Sequence, residues 1–342
     1  MTTIRYPWET PPENGEMIEI AEGVHWLRLP LPMKLDHVNI YVLDDGDGWT
    51  LIDTGMKSRR VQAMWQAVVE GPLRGKPVKR VVATHHHPDH IGFHGWFVEE
   101  FGAEYVSTQV AYLMGRMLTM DIQERYTEGQ IEFYRRAGMR AELLAARQDE
   151  RPFNFSDIVH PIPIGFTRIE EGDVIEMGGR SWDVRVDHGH APDHATFWSR
   201  DDNLVLCGDQ VIASISSNIG VYPTEPDANP LADWLDSCAR LQNFARADHL
   251  ALPGHKLPFV GMPLRLRQLE ENHHGALTRL RADLKTPKTA GEVMMAVFKR
   301  QIGDGEYGLG LVEALAHCNY LWHAGEVTRS LHQDGAYRWV MN

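Results

Sequence analysis

Along this chain, short apolar runs alternate with stretches in which apolar residues recur every three to four positions. Val24-His25-Trp26-Leu27-Arg28-Leu29, Val38-Asn39-Ile40-Tyr41-Val42-Leu43 and Trp49-Thr50-Leu51-Ile52 predict strands broken by turns. The linker Asp44-Asp45-Gly46-Asp47-Gly48 has hairpin chemistry. It is acidic and glycine-bearing, but it lacks the alternating ligands and distal glutamate of a calcium-binding loop. Residues 58–71 read as an amphipathic helix and 77–83 as a buried, β-branched strand. Further strands are predicted at 182–186, 204–207 and 250–252, which makes the chain an α/β protein.

The ends of these strands carry the chemistry. Strand 77–83 runs into Thr84-His85-His86-His87-Pro88-Asp89-His90, and the three later ones end at Gly189-His190, Gly208-Asp209 and Pro253-Gly254-His255. Four strand ends therefore converge on one rim, where layered α/β folds place their ligands. Together they supply seven metal-type ligands: His85, His87, Asp89, His90, His190, Asp209 and His255. His85 and His87 alternate along an extended segment, and Asp89 and His90 follow where a helix begins, so one short loop presents ligands to two ions. Imidazole and carboxylate at this density suit zinc best, with iron or manganese as alternatives.

The pattern H-x-H-x-D-H followed by G-H, G-D and P-G-H resembles the metallo-β-lactamase superfamily of metallohydrolases over roughly residues 18–260. The resemblance implies that superfamily's αβ/βα sandwich. It also implies one metal held by His85, His87 and His190, a second held by Asp89, His90 and His255, and Asp209 bridging both. Asp53, within Thr50-Leu51-Ile52-Asp53-Thr54-Gly55, matches the family's early D-T-G element and is expected to support the metal loop without coordinating. His86 points away from its ligand neighbours in an extended loop and is expected to pack or to support them. His188 is expected either to donate to a substrate oxyanion or to face solvent, and His194 to support the loop. Asp193 replaces the glycine usual in this turn.

At 342 residues the chain suits one large domain with an appendage, and its 43% apolar content is ample for a sizeable core. We place a catalytic domain at 18–262, interrupted by a helical insertion at 109–165 that serves as a lid. Met114, Met117 and Met120 in the insertion either line an adaptable pocket or pack the core. Arg135, Arg136 and Arg140 lie on a solvated helix face or grip an anion. Residues 263–342 form a small α+β module of winged-helix-like outline: a helix at 264–284, helices at 289–301 and 309–322, and a hairpin at 326–340 turning at Asp334-Gly335. From 286 to 342 five basic residues face six acidic ones. The module therefore has no basic recognition face, and packing or homodimer contacts are its expected use.

The 34 lysines and arginines against 47 acidic residues give a formal charge of -13, a field that repels nucleic acid and acidic membranes and favours a small-molecule substrate. Cys207, Cys238 and Cys318 are scattered and form neither a disulfide framework nor a metal knuckle. No export signal precedes the first strand and no segment approaches the ~20 apolar residues of a membrane span, so a cytoplasmic location is expected.

Together with these features, the resemblance implies a dinuclear zinc hydrolase in which a metal-bridging hydroxide attacks the carbonyl of an ester-type bond, a thioester or a lactone. Asp89 is the candidate catalytic residue, orienting the nucleophile and carrying a proton to the leaving group. Tyr222 is a candidate substrate contact. The enzymatic alternatives are a ribonuclease-like phosphodiesterase, suggested by the carboxy-terminal tail and His273-His274, and a single-iron sulfur dioxygenase. A regulatory winged-helix binder with a structural metal is the non-enzymatic one.

Overall fold

The protein is described by a computed structural model covering residues 3–342. Strands β1 (Met17–Ala21), β2 (Val24–Pro30), β3 (His37–Asp44), β4 (Trp49–Ile52), β5 (Val78–Val82), β6 (Glu104–Ser107) and β7 (Thr167–Arg168) form one seven-stranded sheet in that order. The pairings are antiparallel up to β4 and parallel from β4 to β7. A six-stranded sheet holds β8 (Val174–Met177), β9 (Arg180–Asp187), β10 (His194–Ser199), β11 (Leu204–Gly208), β12 (Leu250–Pro253) and β13 (Phe259–Val260). Its one parallel pairing is β11 with β12.

Several strands read as unbroken apolar runs because both of their faces are covered. On β3, Val38, Ile40 and Val42 point to the outer layer, while Tyr41 and Leu43 point between the sheets. On β11, Leu204 and Leu206 face the other sheet, while Val205 and Cys207 face outward. The shared inner layer joins Trp26, Ile52 and Val82 of the first sheet to Trp182, Phe197 and Leu252 of the second.

Helices close the two outer faces and complete the αβ/βα sandwich. On the first sheet lie α1 (Arg59–Glu70) and α3 (His94–Phe101), which follows the short α2 (Pro88–Ile91). Ser58 caps α1 by accepting from Val61 N, and Val61, Trp65 and Val68 bury one stripe of it. On the second sheet lie α8 (Pro230–Gln242), α9 (Met262–Asp283), α10 (Met294–Phe298) and α11 (Asp304–His323), followed by the hairpin β14 (Val327–Leu331) and β15 (Tyr337–Met341).

The insertion consists of α4 (Gln109–Met120), α5 (Glu128–Arg136), α6 (Ala141–Asp149) and α7 (Phe155–Ile158). It links the two helical layers. Tyr112 of α4 joins the core outside the first sheet, whereas Phe133 of α5, with Ala137 and Met139 beyond it, joins the core formed by α8 to α11.

The helix expected at 289–301 is shorter than predicted. Thr289 and Glu292 exchange hydrogen bonds between side chain and backbone, a turn that delays the helix to Met294. Lys299 then ends it in a left-handed conformation at φ 58°. The helix expected at 309–322 is longer, beginning at Asp304. Cys207, Cys238 and Cys318 are buried and unpaired. Among the described residues no helix is long and apolar enough to cross a membrane.

Trp339 on β15 is fully buried in the same cluster as Trp234 of α8 and Leu266 of α9. Trp339→Ala should therefore destabilise the chain by about 3–5 kcal/mol, read as a lowered urea midpoint.

Candidate metal centre

The centre is built where β4 and β5 end side by side, with Ile52 paired to Val82. Just beyond, Asp53 adopts φ 62°, an uncommon conformation for a residue with a side chain. Three hydrogen bonds hold it there. Its Oδ1 accepts from Thr84 N at 2.9 Å, and its Oδ2 accepts from Thr84 Oγ1 at 2.8 Å and from His90 Nδ1 at 2.7 Å. One buried carboxylate thus fixes both ends of the loop that carries His85, His87 and Asp89. Thr54 adds a backbone bond to the His90 carbonyl at 2.7 Å. Pro88 opens α2 at a position where its missing N–H costs nothing, and this turns Asp89 and His90 back toward the loop.

The other ligand candidates follow the ends of β9, β11 and β12. His190 donates through Nδ1 to the Asn218 carbonyl at 2.8 Å, and His255 donates through Nδ1 to the His37 carbonyl at 2.7 Å. Asp209 is held through its backbone N–H, which donates to His194 Nε2 at 3.0 Å. With Nδ1 committed, His90, His190 and His255 each present Nε2, the arrangement that protein acceptors impose on metal-binding imidazoles.

These atoms meet in one small volume. His85 Nε2 and His87 Nδ1 are 3.0 Å apart. Asp209 Oδ2 lies 3.6 Å from His190 Nε2 and 3.1 Å from His255 Nε2, while its Oδ1 lies 3.5 Å from His90 Nε2. Asp89 Oδ2 is 3.4 Å from His255 Nε2 and 3.7 Å from His90 Nε2. Donor atoms of His85, His87 and His190 lie within 4.8 Å of one another, as do those of Asp89, His90 and His255, and those of His85, His90 and Asp209. Asp209 thus stands between the first two groups. A Cβ at Gly254 would collide with Asp209 Oδ1 and His90 Cε1, so glycine is required there.

The donor set fits divalent cations. His90 Nε2, His190 Nε2 and Asp209 Oδ1 are buried without a hydrogen-bond partner, and such atoms are costly unless something else meets them. Burial, and then the neighbouring imidazoles, hold His85 and His87 well below the ordinary histidine range, so both are neutral donors. Burial alone would raise Asp209, yet the charges of His255 and His90 hold it well below the usual carboxylate range. Burial alone would lower His255, but Asp209 and Asp89 push it up to about 10. The charge that raises His255 is the charge a bound cation would supply to Asp89 and Asp209 in its place.

The neighbouring candidates divide clearly. His194 is buried, stacks on His85 with ring centroids 4.7 Å apart, and supports Asp209 from behind. Asp193 occupies a left-handed position at φ 53°, which accounts for the glycine that the family usually has there. His188 is half exposed and its Nδ1 accepts from Asp193 N at 3.3 Å. His86 is buried, its Nδ1 has no partner, and it lines a cavity of about 180 Å³ beside His87 and His190.

Met114 and Tyr222 also line this cavity, whereas Met117 and Met120 point to solvent and lie off its wall. Arg135 and Arg136 pair with Glu132, and Arg140 with Asp304, so none of the three grips a ligand in the cavity. A depression of about 380 Å³ on the far side of His188 and Asp193 contains Arg168 and Arg240, but Glu170, Glu171 and Asp187 already pair with them and no ligand candidate lines it. Thr84, His37 and Asn218 were not singled out from the sequence. The last two act through backbone carbonyls, which carry no residue-type signal.

Comparison with known proteins identifies the family. A family model described as the metallo-beta-lactamase superfamily matches residues 33–255, and one described as the metallo-beta-lactamase-like C-terminal domain matches 277–342. The probable metallo-hydrolase YqjP of Bacillus subtilis (strain 168) is 26% identical over 307 residues, 88% of this chain and 92% of that protein. A beta-lactamase domain protein from Burkholderia ambifaria is 33% identical with a TM-score of 0.89, over 99% of this chain and 97% of that one. A metallo-beta-lactamase family protein from Thermus thermophilus is 28% identical with a TM-score of 0.79, over 95% of this chain and 100% of that one.

Two outcomes follow for cation binding. Asp53→Asn keeps the shape but weakens the anchor of His90, and should lower zinc affinity about 10- to 100-fold in a chelator competition assay. Binding should also release protons from His90 and His255, so affinity should rise with pH through the neutral range. Calorimetry in buffers of different ionisation heat measures that release.

Proposed function

The chain belongs to the metallo-beta-lactamase superfamily and is a metal-dependent hydrolase, and from that premise we propose that it cleaves an ester-type bond, a thioester or lactone, in a small, partly apolar substrate. In this reading one zinc ion is held by His85, His87 and His190 and another by Asp89, His90 and His255, with Asp209 between them.

The wall of the cavity carries the choice of substrate. Met114, Pro192, Tyr222, Ala228 and Pro230 form its apolar part, and Glu225 and Asp233 its charged part. Neither lysine nor arginine is among the described residues that line it. Beyond the metal ions, a phosphodiester would meet Glu225 and Asp233 with no lysine or arginine to offset them, whereas a neutral ester carries no such penalty. The net charge of -13 acts in the same direction, against a ribonuclease-like role.

When bound, the cations supply Lewis acidity, lowering the pKa of water and polarising the substrate carbonyl. The protein's own groups supply orientation and proton transfer. His85 and His87 stay neutral through burial, and His190 and His255 are aimed by the carbonyls of Asn218 and His37. Asp89 turns Oδ2 toward His255, which leaves Oδ1 to take a proton from the attacking water and return it to the departing thiolate or alkoxide. Met114 of α4, beside His86, excludes water from the apolar side of the cavity.

The purified chain should contain two zinc equivalents and hydrolyse members of a panel of acyl thioesters and lactones. His85→Ala and Asp209→Ala should each lower the rate by about 100-fold or more, and a chelator should abolish it. A single iron in place of two zinc ions would favour oxygen chemistry, and a two-zinc protein inert on the whole panel would overturn the ester assignment.

A further inference from the structure

We propose that the C-terminal helix α11 positions His190 through Glu313, acting by way of Asn218, so that the C-terminal segment helps set cation affinity. The inference rests on the reading of His190 as a zinc ligand.

The carbonyl that orients His190 belongs to Asn218, in a segment between Asp209 and α8 that has no regular secondary structure. A carbonyl in such a segment keeps one direction only if other bonds hold its residue. Here the same residue's side chain supplies them. Asn218 Nδ2 donates to Glu313 Oε2 at 2.8 Å and reaches the Leu309 carbonyl at 3.3 Å, both on α11. The Leu309 carbonyl can only accept, so the amide faces this pair with its nitrogen. Three residues later, Val221 N donates to the Val312 carbonyl at 3.2 Å, which fastens the segment to α11 a second time.

Glu313 is well placed to act as an anchor. It is flanked by the buried Val312 and Ala314, and burial pushes its carboxyl up to about 7. In so poorly solvated a place, the amide hydrogen bond is its main compensation. The turn behind it is braced as well. His317 donates through Nδ1 to the Glu313 carbonyl at 2.8 Å, and its Nε2 meets His273 Nδ1 of α9 at 3.3 Å. His90 and His255 take their acceptors from Asp53 and His37, at the ends of strands of the first sheet. The acceptor of His190 is held instead by an element that lies wholly outside residues 33–255.

The test uses full-length chains stripped of metal and titrated with zinc against a competing chelator. Asn218→Asp keeps the shape of the side chain but removes the amide donors, leaving the Leu309 carbonyl facing a carboxyl oxygen. It should weaken one of two zinc sites about 10- to 100-fold and leave the other unchanged. Glu313→Gln retains an acceptor and should bind like wild type. In the double variant the new amide donates to the new carboxylate, and affinity should recover in part. Melting temperatures of the metal-free proteins identify any variant that loses its fold, and Asn218→Ser then substitutes for it with the same expected weakening. Wild type that takes up no zinc would remove the metal reading and the inference with it. Wild type that binds two zinc ions while Asn218→Asp and Asn218→Ser bind them equally well would overturn the inference alone.

Discussion

The arrangement of this centre depends on the buried carboxylate of Asp53. It ligates nothing in the proposed set, yet both of its oxygens are engaged, binding Thr84 at the start of the histidine loop and His90 at its end. Without that carboxylate, the loop that carries His85, His87 and Asp89 would have a free end, and His90 would lose the acceptor that aims its Nε2. The left-handed backbone at Asp53 is the conformation in which one side chain reaches both partners. Strain at a strand end is thus offset by hydrogen bonds to the loop it organises.

The same logic runs through the other ligand candidates. Each imidazole that reaches the centre from a distant strand end is tied back by its second nitrogen, His190 to a carbonyl of the 214–221 segment and His255 to the carbonyl of His37. Asp209 is held through its own backbone by His194, a histidine that ligates nothing in the proposed set. The centre is therefore preorganised by groups outside it, one carboxylate and several neutral ones, and its three orphaned donor and acceptor atoms mark where positive charge belongs.

The two-layered helical cover explains how a long insertion and a C-terminal extension coexist with this rim. The insertion starts against the first helical layer and reaches the core of the second, and its first helix puts Met114 on the cavity wall. The C-terminal helices fill the outer face of the second sheet and share one apolar cluster with α8 and β11. Neither lysine nor arginine is among the described residues that line the cavity, where Glu225 and Asp233 stand beside the histidines.

Much of this was legible in the residues themselves. The largely apolar runs of β3, β11 and β12 and the helical stripe Val61, Trp65 and Val68 determined the α/β class, because a strand covered on both faces and a helix buried along one stripe each leave their own pattern in the chain. The spacing of the histidines and aspartates named the candidate centre, since ligand chemistry is a property of side-chain type. What only the tertiary structure decided concerns groups without such a signature. The carbonyls of His37 and Asn218, the collision that requires glycine at position 254, the anchoring of Asn218 by Glu313 and the exposure of Met117 and Met120 all depend on which distant segments lie side by side. A backbone oxygen is the same in every residue, so no pattern along the chain reveals which one will aim an imidazole.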